Sequence, residues 1–392
     1  MTVNPRNTDD GDIGWWRAFW TENDRSLYGD ADAALGDARP VRPVFSAAHA
    51  RVPILVELGE DWIIDRMGAE YRRYIQDFGY QQQVRDACAA VLMDDIGMQL
   101  KAKVDSSSLL HGSVYGMTIE YPADSTPWLN HILREPEDIR RLIAAMEKAD
   151  LSQAGLVPWF VASYRALNRP YRWRILHDST SVHGPGTILG FLFGINDMML
   201  ALYDYPDLVR SLLATIAEVT VSYSRTVRGL TGAPVTGVGV FDDVGGLVSP
   251  RIFGRFFLPV YEKIYGELAP GPDDDRFLHN DARVAHLLGF CRDLGINGIN
   301  PDPETDPAEI RRQLPDAMIY GCVPPLLLKD GAPEQIMRAA RRSIELAGEG
   351  GGLVLTTAGS INMGTPYANL RALAEAAERY GRYERGGLVH ID

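Results

Sequence analysis

Short apolar runs alternate with amphipathic helical stretches along most of this 392-residue chain. Eight runs have the length and residue types of buried strands: Val52–Glu57, Ile96–Lys101, Arg174–Asp178, Thr236–Phe241, Phe277–His279, Gly298–Asn300, Met318–Cys322 and Leu353–Thr357. Such runs, separated by helical spacers, are typical of βαβ units with a parallel sheet. Eight of them favour an α/β fold of the (β/α)8 TIM barrel type over an open doubly wound sheet.

The spacers carry the period of amphipathic helices, with apolar residues such as Ile336, Ala340 and Ile344 at helical spacing. Neither a GxGxxG nor a GxxxxGKS/T motif follows any candidate strand, which argues against a dinucleotide site and a P-loop. We therefore predict a single domain, in which residues 51–392 form the barrel and residues 1–50 are an N-terminal extension that packs on it.

An aromatic cluster lies in the extension and comprises Trp15, Trp16, Phe19 and Trp20. We interpret it as the part of the extension that packs on the barrel. The alternative is a docking surface for a second subunit, because Trp and Phe exposed together usually mark an interface. From this alternative the sequence predicts a homodimer.

Composition limits the classes of function. The net charge of −13 argues against a nucleic-acid partner, because phosphate binding needs clustered Lys and Arg. The three cysteines, Cys88, Cys291 and Cys322, have no CxxC spacing, so we expect neither a disulfide framework nor a cysteine-rich zinc module. The longest apolar run is far shorter than the roughly 20 residues of a membrane span, and the acidic N-terminus is unlike a secretory signal. We predict a cytoplasmic protein that acts on a small molecule.

Ionisable side chains gather at the predicted carboxyl ends of the strands, where barrel enzymes place their catalytic groups. They are Glu57, His177, Asp178, Asp242, Asp243, His279, Asp281, Asn300, Asp302 and Thr357, with His183 a few residues beyond a strand. The residues predicted to be catalytic are His279, Asp281 and His183. Those predicted to bind substrate are Glu57, Asp178, Asn300 and Tyr203. The predicted metal ligands are His279, Asp281 and Asp242.

Ordinary structural roles are the alternative for several of these residues. Asp242 and Asp178 can cap the helices or turns that follow their strands, and His183 can bond a loop carbonyl. Tyr203 can line a pocket or cover a helix end. The context of His111 indicates an ordinary surface or packing residue.

His279 and Asp281 are two residues apart in an extended segment, so their side chains point to the same side and Asn280 faces away. An imidazole and a carboxylate in this arrangement can share a divalent cation, with a third ligand from Glu57, His183 or Asp242. Without a metal, the carboxylate can instead orient the imidazole as an acid–base catalyst.

A series of short motifs follows the chain in order. They are Arg51-Val52-Pro53, Glu135-Pro136-Glu137-Asp138, His183-Gly184-Pro185, Leu247-Val248-Ser249-Pro250, Phe256-Phe257-Leu258-Pro259 and Gly364-Thr365-Pro366 with Asn369. In this order and spacing they resemble the uroporphyrinogen decarboxylase superfamily over most of the chain, from about Arg51 to Arg382. The resemblance implies a barrel enzyme and supports the homodimer.

The methyltransferase branch of this superfamily binds zinc through His-x-Cys and a second, distant Cys. The segments that resemble these sites read His279-Asn280-Asp281 and Leu355-Thr356-Thr357-Ala358-Gly359, so His279 alone matches the ligand set. A carboxylate in place of a thiolate shifts the preference toward harder ions, such as Fe, Mn or an N/O-ligated Zn. The resemblance implies a divalent metal, Zn or Fe, and a corrinoid supplied through a partner protein.

The decarboxylase branch opens with an Arg-rich loop that grips substrate carboxylates, whereas this chain reads Trp16-Arg17-Ala18-Phe19-Trp20. The position of that branch's catalytic Asp falls at about Ala102. Haem biosynthesis is therefore disfavoured.

Three functions stay open. The first is a metal-dependent methyltransferase-like enzyme with a corrinoid or thiol partner. The second is a metal-dependent decarboxylase or lyase on the same barrel, in which an ion stabilises a developing carbanion. The third is a non-catalytic small-molecule binding barrel, which the many ionisable groups at the strand ends disfavour.

Overall fold

The computed structural model describes residues 13–28, 50–100, 103–106, 109–167, 181–232, 237–384 and 387–389. The chain divides into two compact units, the first made of Met1–Lys103 with Gly298–Asp392 and the second of Val104–Asn297. In both units, parallel strands alternate with helices, as the sequence pattern predicts.

The first unit begins with helices, which are α1 (Ile13–Tyr28), α2 (Glu60–Met67), α3 (Tyr71–Gln76) and α4 (Phe78–Ile96). Asp77 precedes α4, and its carboxylate accepts a hydrogen bond from the Tyr80 N–H, which satisfies one free donor of the first turn. Gly97 ends α4 in the left-handed conformation, with a φ of 66°.

The second unit follows in the chain. Its elements are α5 (Leu109–Ser113), β1 (Ile119–Glu120), β2 (Trp128–Leu129), α6 (Pro136–Met146), α7 (Val157–Ala166), β3 (Val182–His183), α8 (Pro185–Phe193), α9 (Ile195–Asp204), α10 (Pro206–Thr231), β4 (Gly237–Phe241), α11 (Pro250–Ile252), α12 (Leu258–Leu268), β5 (Asp275–His279) and α13 (Leu288–Asp293). Strands β3, β4 and β5 pair in parallel in that order, while β1 and β2 form a short antiparallel pair. Pro185 and Pro206 stand at the first turns of α8 and α10, where a missing N–H costs nothing.

The chain then returns to the first unit. Its elements there are β6 (Gly298–Asn300), α14 (Pro307–Gln313), β7 (Met318–Val323), α15 (Pro325–Asp330), α16 (Pro333–Ala347), β8 (Leu353–Thr357), α17 (Tyr367–Tyr380), β9 (Tyr383–Glu384) and β10 (Gly387–Leu388). Strands β6, β7 and β8 pair in parallel in that order, and β9 pairs with β10 antiparallel. Every residue of β6 and of β8 is buried, as expected for parallel strands covered on both faces.

Five of the eight predicted strands correspond to β4, β5, β6, β7 and β8. The predicted strand Arg174–Asp178 lies outside the described residues, and β3 pairs with β4 a few residues later in the chain. The predicted strand Ile96–Lys101 is wrong over its described residues, because α4 continues to Ile96 and residues 97–100 form no strand. Ile96 is the last residue of α4, and the Met98 N–H donates to the Leu92 carbonyl at 3.3 Å, as in a helix C-terminal cap.

The predicted strand Val52–Glu57 is extended, but it forms isolated parallel bridges, Ile54 to Leu355 and Leu58 to Ile361. On one edge, Leu55 donates to the Leu355 carbonyl at 3.0 Å. On the other edge, Asn23 of α1 takes the place of a neighbouring strand: its Nδ2 donates to the Ile54 carbonyl at 2.8 Å, and its Oδ1 accepts from the Ile54 N–H at 2.7 Å. A side chain thus satisfies the backbone groups that a ladder would otherwise use.

Helix α1 buries most of the aromatic cluster within one chain. Trp16, Phe19 and Trp20 are buried, and the Trp16 and Trp20 rings stack with centroids 5.9 Å apart. The Arg51 guanidinium lies 4.0 Å from the centre of the Phe19 ring and donates to the Phe19 carbonyl at 3.0 Å. Because these rings are covered within the first unit, they do not form the exposed surface from which the homodimer was predicted.

Among the described residues, no single helix combines the length and apolar composition of a membrane span. Helices α8 and α9 meet that test only as a pair bent by 104°. Eight residues of α8 are buried inside the second unit, as in the core helix of a globular unit.

Candidate metal site and its histidines

Three neighbouring strands of the second unit end in register. His183 of β3 pairs with Phe241 of β4, and Phe241 pairs with His279 of β5. Side chains at paired positions of a parallel sheet point to the same face. The two imidazoles therefore share one face at the carboxyl ends of the strands, with the Phe241 ring between them and 5.0 Å from the His279 ring.

Alternation along β4 separates the two aspartates that follow it. Val238, Val240 and Asp242 are buried on one face. Phe241 and Asp243 belong to the other face, which carries His279. The period of two thus places Asp243, and not Asp242, beside the imidazole.

Asp243, His279 and Asp281 form a compact cluster whose ligand atoms all lie within 4.8 Å of one another. The His279 Nε2 lies 3.4 Å from Asp243 Oδ1 and 3.4 Å from Asp281 Oδ1. The Asp281 N–H donates to Asp243 Oδ1 at 3.2 Å, which ties the segment after β5 to the end of β4. His279 is buried, whereas the carboxylates of Asp243 and Asp281 are about half exposed, so the cluster opens to a ligand on its carboxylate side.

The spacing of this cluster fits a small divalent ion. Two ligands of a tetrahedral ion, each 2.0–2.1 Å from the metal, lie about 3.3–3.4 Å apart. Both distances from the imidazole to the carboxylates have this value. The donors are one nitrogen and two carboxylates, a set that suits Zn, Fe or Mn.

The electrostatics of the cluster favour a cation. Partial burial raises the pKa of the Asp243 carboxyl, and the negative charge of Asp281 raises it further, while His279 acts in the opposite direction. Two carboxylates that share one site repel each other when both are ionised. A cation between them removes this repulsion.

Asp242 has a structural role, as its alternative interpretation proposed. Its carboxylate accepts hydrogen bonds from the N–H groups of Gly186 at 3.2 Å, Thr187 at 2.6 Å and Gly245 at 3.2 Å, and from the Tyr261 hydroxyl at 2.7 Å. These donors occupy both of its oxygens and hold the first turn of α8. The metal ligands predicted from the sequence were His279, Asp281 and Asp242. In the structure, the carboxylate beside His279 and Asp281 is that of Asp243 and not that of Asp242.

Glycines allow the backbone to approach the Asp242 carboxylate. A Cβ at Gly184, Gly186 or Gly245 would lie 2.6 to 2.8 Å from atoms of Asp242. At Gly186 it would also lie 2.6 Å from the backbone nitrogen of Gly245. Burial nevertheless dominates over these hydrogen bonds and raises the pKa of Asp242 to about 6.

His183 is held between rings next to the cluster. Its ring stacks nearly parallel on that of His111, with centroids 5.8 Å apart, and meets the Phe191 ring edge to face at 5.2 Å. The His183 backbone N–H donates to His111 Nδ1 at 2.9 Å. Burial and the nearby His279 lower the pKa of His183 to about 4, so its imidazole is neutral at physiological pH.

The residues predicted to bind substrate have other environments. Asn300 donates to the carbonyls of Tyr320 and Thr357 and accepts from the Gly359 N–H, so its amide ties the ends of strands in the first unit. Glu57 is an exposed residue of the extended segment. Tyr203 is 73% exposed on α9, and Asp178 lies outside the described residues. The contacts of Asn300 indicate a structural role, and the exposure of Tyr203 gives no enclosed surface for a substrate.

Sequence analysis did not assign two residues to the candidate cluster or to its surroundings. Asp243 was among the strand-end candidates, but only the register of β4 against β5 selects it over Asp242 as the neighbour of His279. His111 was interpreted as an ordinary surface or packing residue. It is fully enclosed in the second unit, and its contact with His183 joins segments 72 residues apart, which no local pattern signals.

Comparisons with known proteins agree with this architecture. Residues 101–380 match the family model for uroporphyrinogen decarboxylase (URO-D). Over 182 residues, the chain is 28% identical to a uroporphyrinogen decarboxylase of Coxiella burnetii, a stretch that covers 46% of this chain and 49% of that protein. The chain thus matches about half the length of that relative.

Methyltransferases are also among the relatives. The methylcobamide:CoM methyltransferase MtbA of Methanosarcina acetivorans is 24% identical over 255 residues, which cover 64% of this chain and 71% of that protein. A solved methyltransferase structure from Methanosarcina mazei superposes with a TM-score of 0.62 at 19% identity, over 90% of this chain and 98% of that one. The likeness confirms the predicted fold, the α/β barrel of this family. With the family model matched over most of its length, the chain belongs to the uroporphyrinogen decarboxylase (URO-D) family.

Proposed function

We propose that this chain is a metal-dependent, methyltransferase-like enzyme that acts on a small substrate at the Asp243–His279–Asp281 cluster. The observation that carries the proposal is the pair of 3.4 Å distances from His279 Nε2 to the two carboxylates. One ion fits these three donors, and a three-ligand set leaves coordination positions for substrate, as in catalytic rather than structural metal sites.

The three residues have different parts in holding the ion. His279 is buried at the end of β5, so its ring has a fixed position, whereas the half-exposed carboxylates face a ligand that arrives from outside. Asp243 Oδ1 accepts the Asp281 N–H, which keeps both carboxylates near the imidazole before an ion binds. When bound, a divalent ion supplies Lewis acidity, which lowers the pKa of a coordinated group such as a thiol.

The reaction that we propose is transfer of a methyl group to a thiol. The thiol loses its proton, a bond forms between its sulfur and the methyl carbon, and the bond from that carbon to its donor breaks with the electron pair left on the donor. The family, and the methylcobamide:CoM methyltransferase among its relatives, support this chemistry. A methylated corrinoid on a partner protein is the donor that we propose. A cytoplasmic location and a homodimer remain predictions from the sequence.

A decarboxylase or lyase is the second candidate. The uroporphyrinogen decarboxylases among the relatives support it. So does the donor set of one nitrogen and two carboxylates, since ions in such sites readily take oxygen ligands from a carboxylate substrate.

Two measurements test the proposal. Metal analysis of the purified protein, and of the Asp281→Asn variant, should find one divalent ion per chain in the first and much less in the second. Demethylation of methylcobalamin in the presence of small thiols should then depend on the metal and on Asp281. A metal-loaded protein that leaves methylcobalamin intact but releases CO2 from carboxylate substrates would support the decarboxylase instead. A protein that binds no divalent ion would contradict both candidates and favour the non-catalytic binding barrel.

A further inference from the structure

We propose that His286 and Gly246 are positioning residues of the candidate metal cluster, which hold the two loops that carry its carboxylates at the spacing that a divalent ion needs. The first loop, residues 242–249, follows β4, and the second loop, residues 280–287, follows β5. Each loop carries one carboxylate of the cluster. This inference deepens the proposed function and rests on it.

The two carboxylates need support from outside the cluster. Asp243 is 46% exposed and Asp281 52%, and like charges at this separation repel each other. The Asp281 N–H donates to Asp243 Oδ1 at 3.2 Å, but a hydrogen bond between exposed groups competes with water and contributes little by itself. Contacts farther along the loops therefore contribute to the spacing of the two side chains.

The loops keep the register of the strands that they follow. Strands β4 and β5 pair with an offset of 38 residues, and the bond from Asp281 to Asp243 has the same offset. The bond between His286 and Val248, near the far ends of the loops, has it as well. The two loops thus run side by side from the strands toward the helices. A shift of one loop along the other would break the far bond and separate the carboxylates.

His286 ties the far ends of the loops together. Its Nε2 lies 2.9 Å from the Val248 carbonyl oxygen, which can only accept, so this nitrogen carries a proton and donates it. Val248 is buried, whereas His286 is exposed. The acceptor therefore has a fixed position, and the imidazole can be replaced without opening the core.

Gly246 lets the loops touch midway. It is buried, and a Cβ at this position would lie 2.9 Å from Ala282 Cβ, from the Arg283 carbonyl oxygen and from Asn280 Oδ1. Asn280 is buried too, and its Oδ1 accepts the Ala282 N–H at 2.9 Å, which fixes the turn after β5. Any side chain in place of Gly246 would push the second loop away from the first, within a few residues of both carboxylates.

Neither residue is a ligand of the ion. The Nε2 of His286 is engaged by a carbonyl, and Gly246 has no side chain. Both act through Asp243 and Asp281, whose separation they fix before an ion arrives. Ligands that are already in place lose little entropy on binding, so the contacts between the loops raise the affinity for the metal.

The first experiment observes the loops without metal. Hydrogen exchange of the full metal-free chain at neutral pH, followed by mass spectrometry, gives the exchange rates of peptides from both loops. His286→Leu should raise these rates by about 3-fold or more, as expected for the loss of one hydrogen bond. Peptides from α16 should keep their wild-type rates. Unchanged exchange in both loops would overturn the proposal.

The second experiment measures Co²⁺ affinity by competition with a chelator. His286→Leu should lower the affinity by about 3- to 10-fold, and Gly246→Ala by about 10-fold or more. His286→Gln should regain most of the affinity, because its amide nitrogen lies near the Nε2 position and can donate to the same carbonyl. The melting temperature of metal-free His286→Leu should stay near that of the wild type, since the residue is exposed.

Two matched variants serve as controls. His131→Leu removes an exposed histidine whose Nδ1 lies 2.8 Å from the Phe191 carbonyl oxygen, in the same unit but on neither loop. Gly289→Ala adds a methyl group just beyond the second loop, where the described residues leave open space around the Cβ position. Both variants should keep the wild-type Co²⁺ affinity and the wild-type exchange of the loops.

The outcomes separate this proposal from the metal site itself. Equal Co²⁺ affinity in the wild type and in His286→Leu would overturn the positioning role while the proposed function stands. So would an equal loss in His286→Leu and His131→Leu, because the effect would then be general. If Gly246→Ala does not fold, the two His286 variants decide. If the wild-type protein binds no Co²⁺, the proposed function fails, and the positioning role fails with it.

Discussion

His183 and His279 occupy equivalent positions two strands apart in the second unit, each paired in register with Phe241 of the strand between them. The two imidazoles project from one face of the sheet, but their surroundings differ. His279 lies between two carboxylates and suits a cation, whereas His183 lies against a second histidine and an aromatic ring and stays neutral. The carboxyl ends of these strands thus carry, side by side, a cluster that suits a cation and an imidazole that stays neutral.

Removing one carboxylate of the cluster should weaken metal binding with little effect on folding. We expect Asp243→Asn and Asp281→Asn each to lower Zn²⁺ or Co²⁺ affinity by at least about 100-fold. Loss of a residue that only supports a metal ligand already costs up to about 100-fold, and these carboxylates are the proposed ligands themselves. Both side chains are about half exposed, so the melting temperature of the metal-free protein should change little. Competition with a chelator gives the affinity. Asp273→Asn makes the same change at an exposed turn and should have no effect; equal affinities in all three variants would place the metal elsewhere.

Loss of the Tyr261 hydroxyl should destabilise the protein more at pH 7 than at pH 4. The folded pKa of Asp242 is about 6, above the ordinary value of 3.8. Between these values the folded state keeps a proton that the unfolded state has lost, so this group's contribution to the free energy of unfolding falls by about 3 kcal/mol as pH rises. Above pH 6 the carboxylate is charged, and its bond from Tyr261 at 2.7 Å is of the stronger, charge-assisted kind.

The measurement is urea unfolding at the two pH values. Tyr261→Phe should cost about 1.5–3 kcal/mol at pH 7 and clearly less at pH 4. Tyr265→Phe is the matched control, since the Tyr265 hydroxyl donates to the neutral Phe277 carbonyl at 2.8 Å and its loss should cost the same at both values. Equal costs for Tyr261→Phe at pH 4 and pH 7 would show that Asp242 does not titrate in this window.

A methyl group at Gly186 should destabilise the turn that holds Asp242. The added Cβ would lie 2.6 Å from the Gly245 nitrogen and 2.8 Å from Asp242 Oδ1. Gly245 is buried, and the Asp242 carboxylate is held by four hydrogen bonds, so neither neighbour can move away easily. We expect Gly186→Ala to cost at least about 2 kcal/mol in the free energy of unfolding. Gly266→Ala, on α12 with open space around its Cβ position, should stabilise by up to about 1 kcal/mol. Thermal unfolding of both variants decides the point, and a neutral Gly186→Ala would contradict the close approach.

Arg51 should contribute strongly to the stability of the first unit. Its buried guanidinium lies 3.1 Å from Glu22 of α1 and 3.0 Å from Glu378 of α17, and it covers the Phe19 ring. Arg51→Met removes the buried cation of both ion pairs and its hydrogen bond to the Phe19 carbonyl, while the side chains of Glu22 and Glu378 stay partly exposed, so we expect a cost of about 1.5–3 kcal/mol in the free energy of unfolding.

The control for Arg51 is an exposed ion pair on a helix. Arg73 and Asp77 are 3.4 Å apart and both about half exposed, so Arg73→Met should cost less than about 1 kcal/mol. Denaturant midpoints of the two variants give the comparison. Similar small losses for both would mean that the pairs at Arg51 contribute no more than surface ion pairs do.

The sequence by itself determined the class of fold and the proximity of two side chains of the candidate cluster. Alternating apolar runs and amphipathic spacers predicted the parallel strands β4 to β8, because a buried strand and an amphipathic helix each have a local period. The spacing of His279 and Asp281 placed both side chains on one face, and the structure has them 3.4 Å apart. Both predictions depend on neighbours in the chain, which is why they could be made without a structure.

Tertiary structure alone decided the rest of the site. Register between β4 and β5 selects Asp243 over Asp242 for the cluster, and register is a relation between strands 38 residues apart. Packing of α5 against β3 brings His111 to His183, and burial, which no local pattern reports, keeps both rings neutral. Asn23, which bonds both backbone groups of Ile54, leaves the first predicted strand with isolated bridges in place of a ladder. The local period of a strand or helix predicts toward which face a side chain points, but only the packed tertiary structure determines which residues that face contacts.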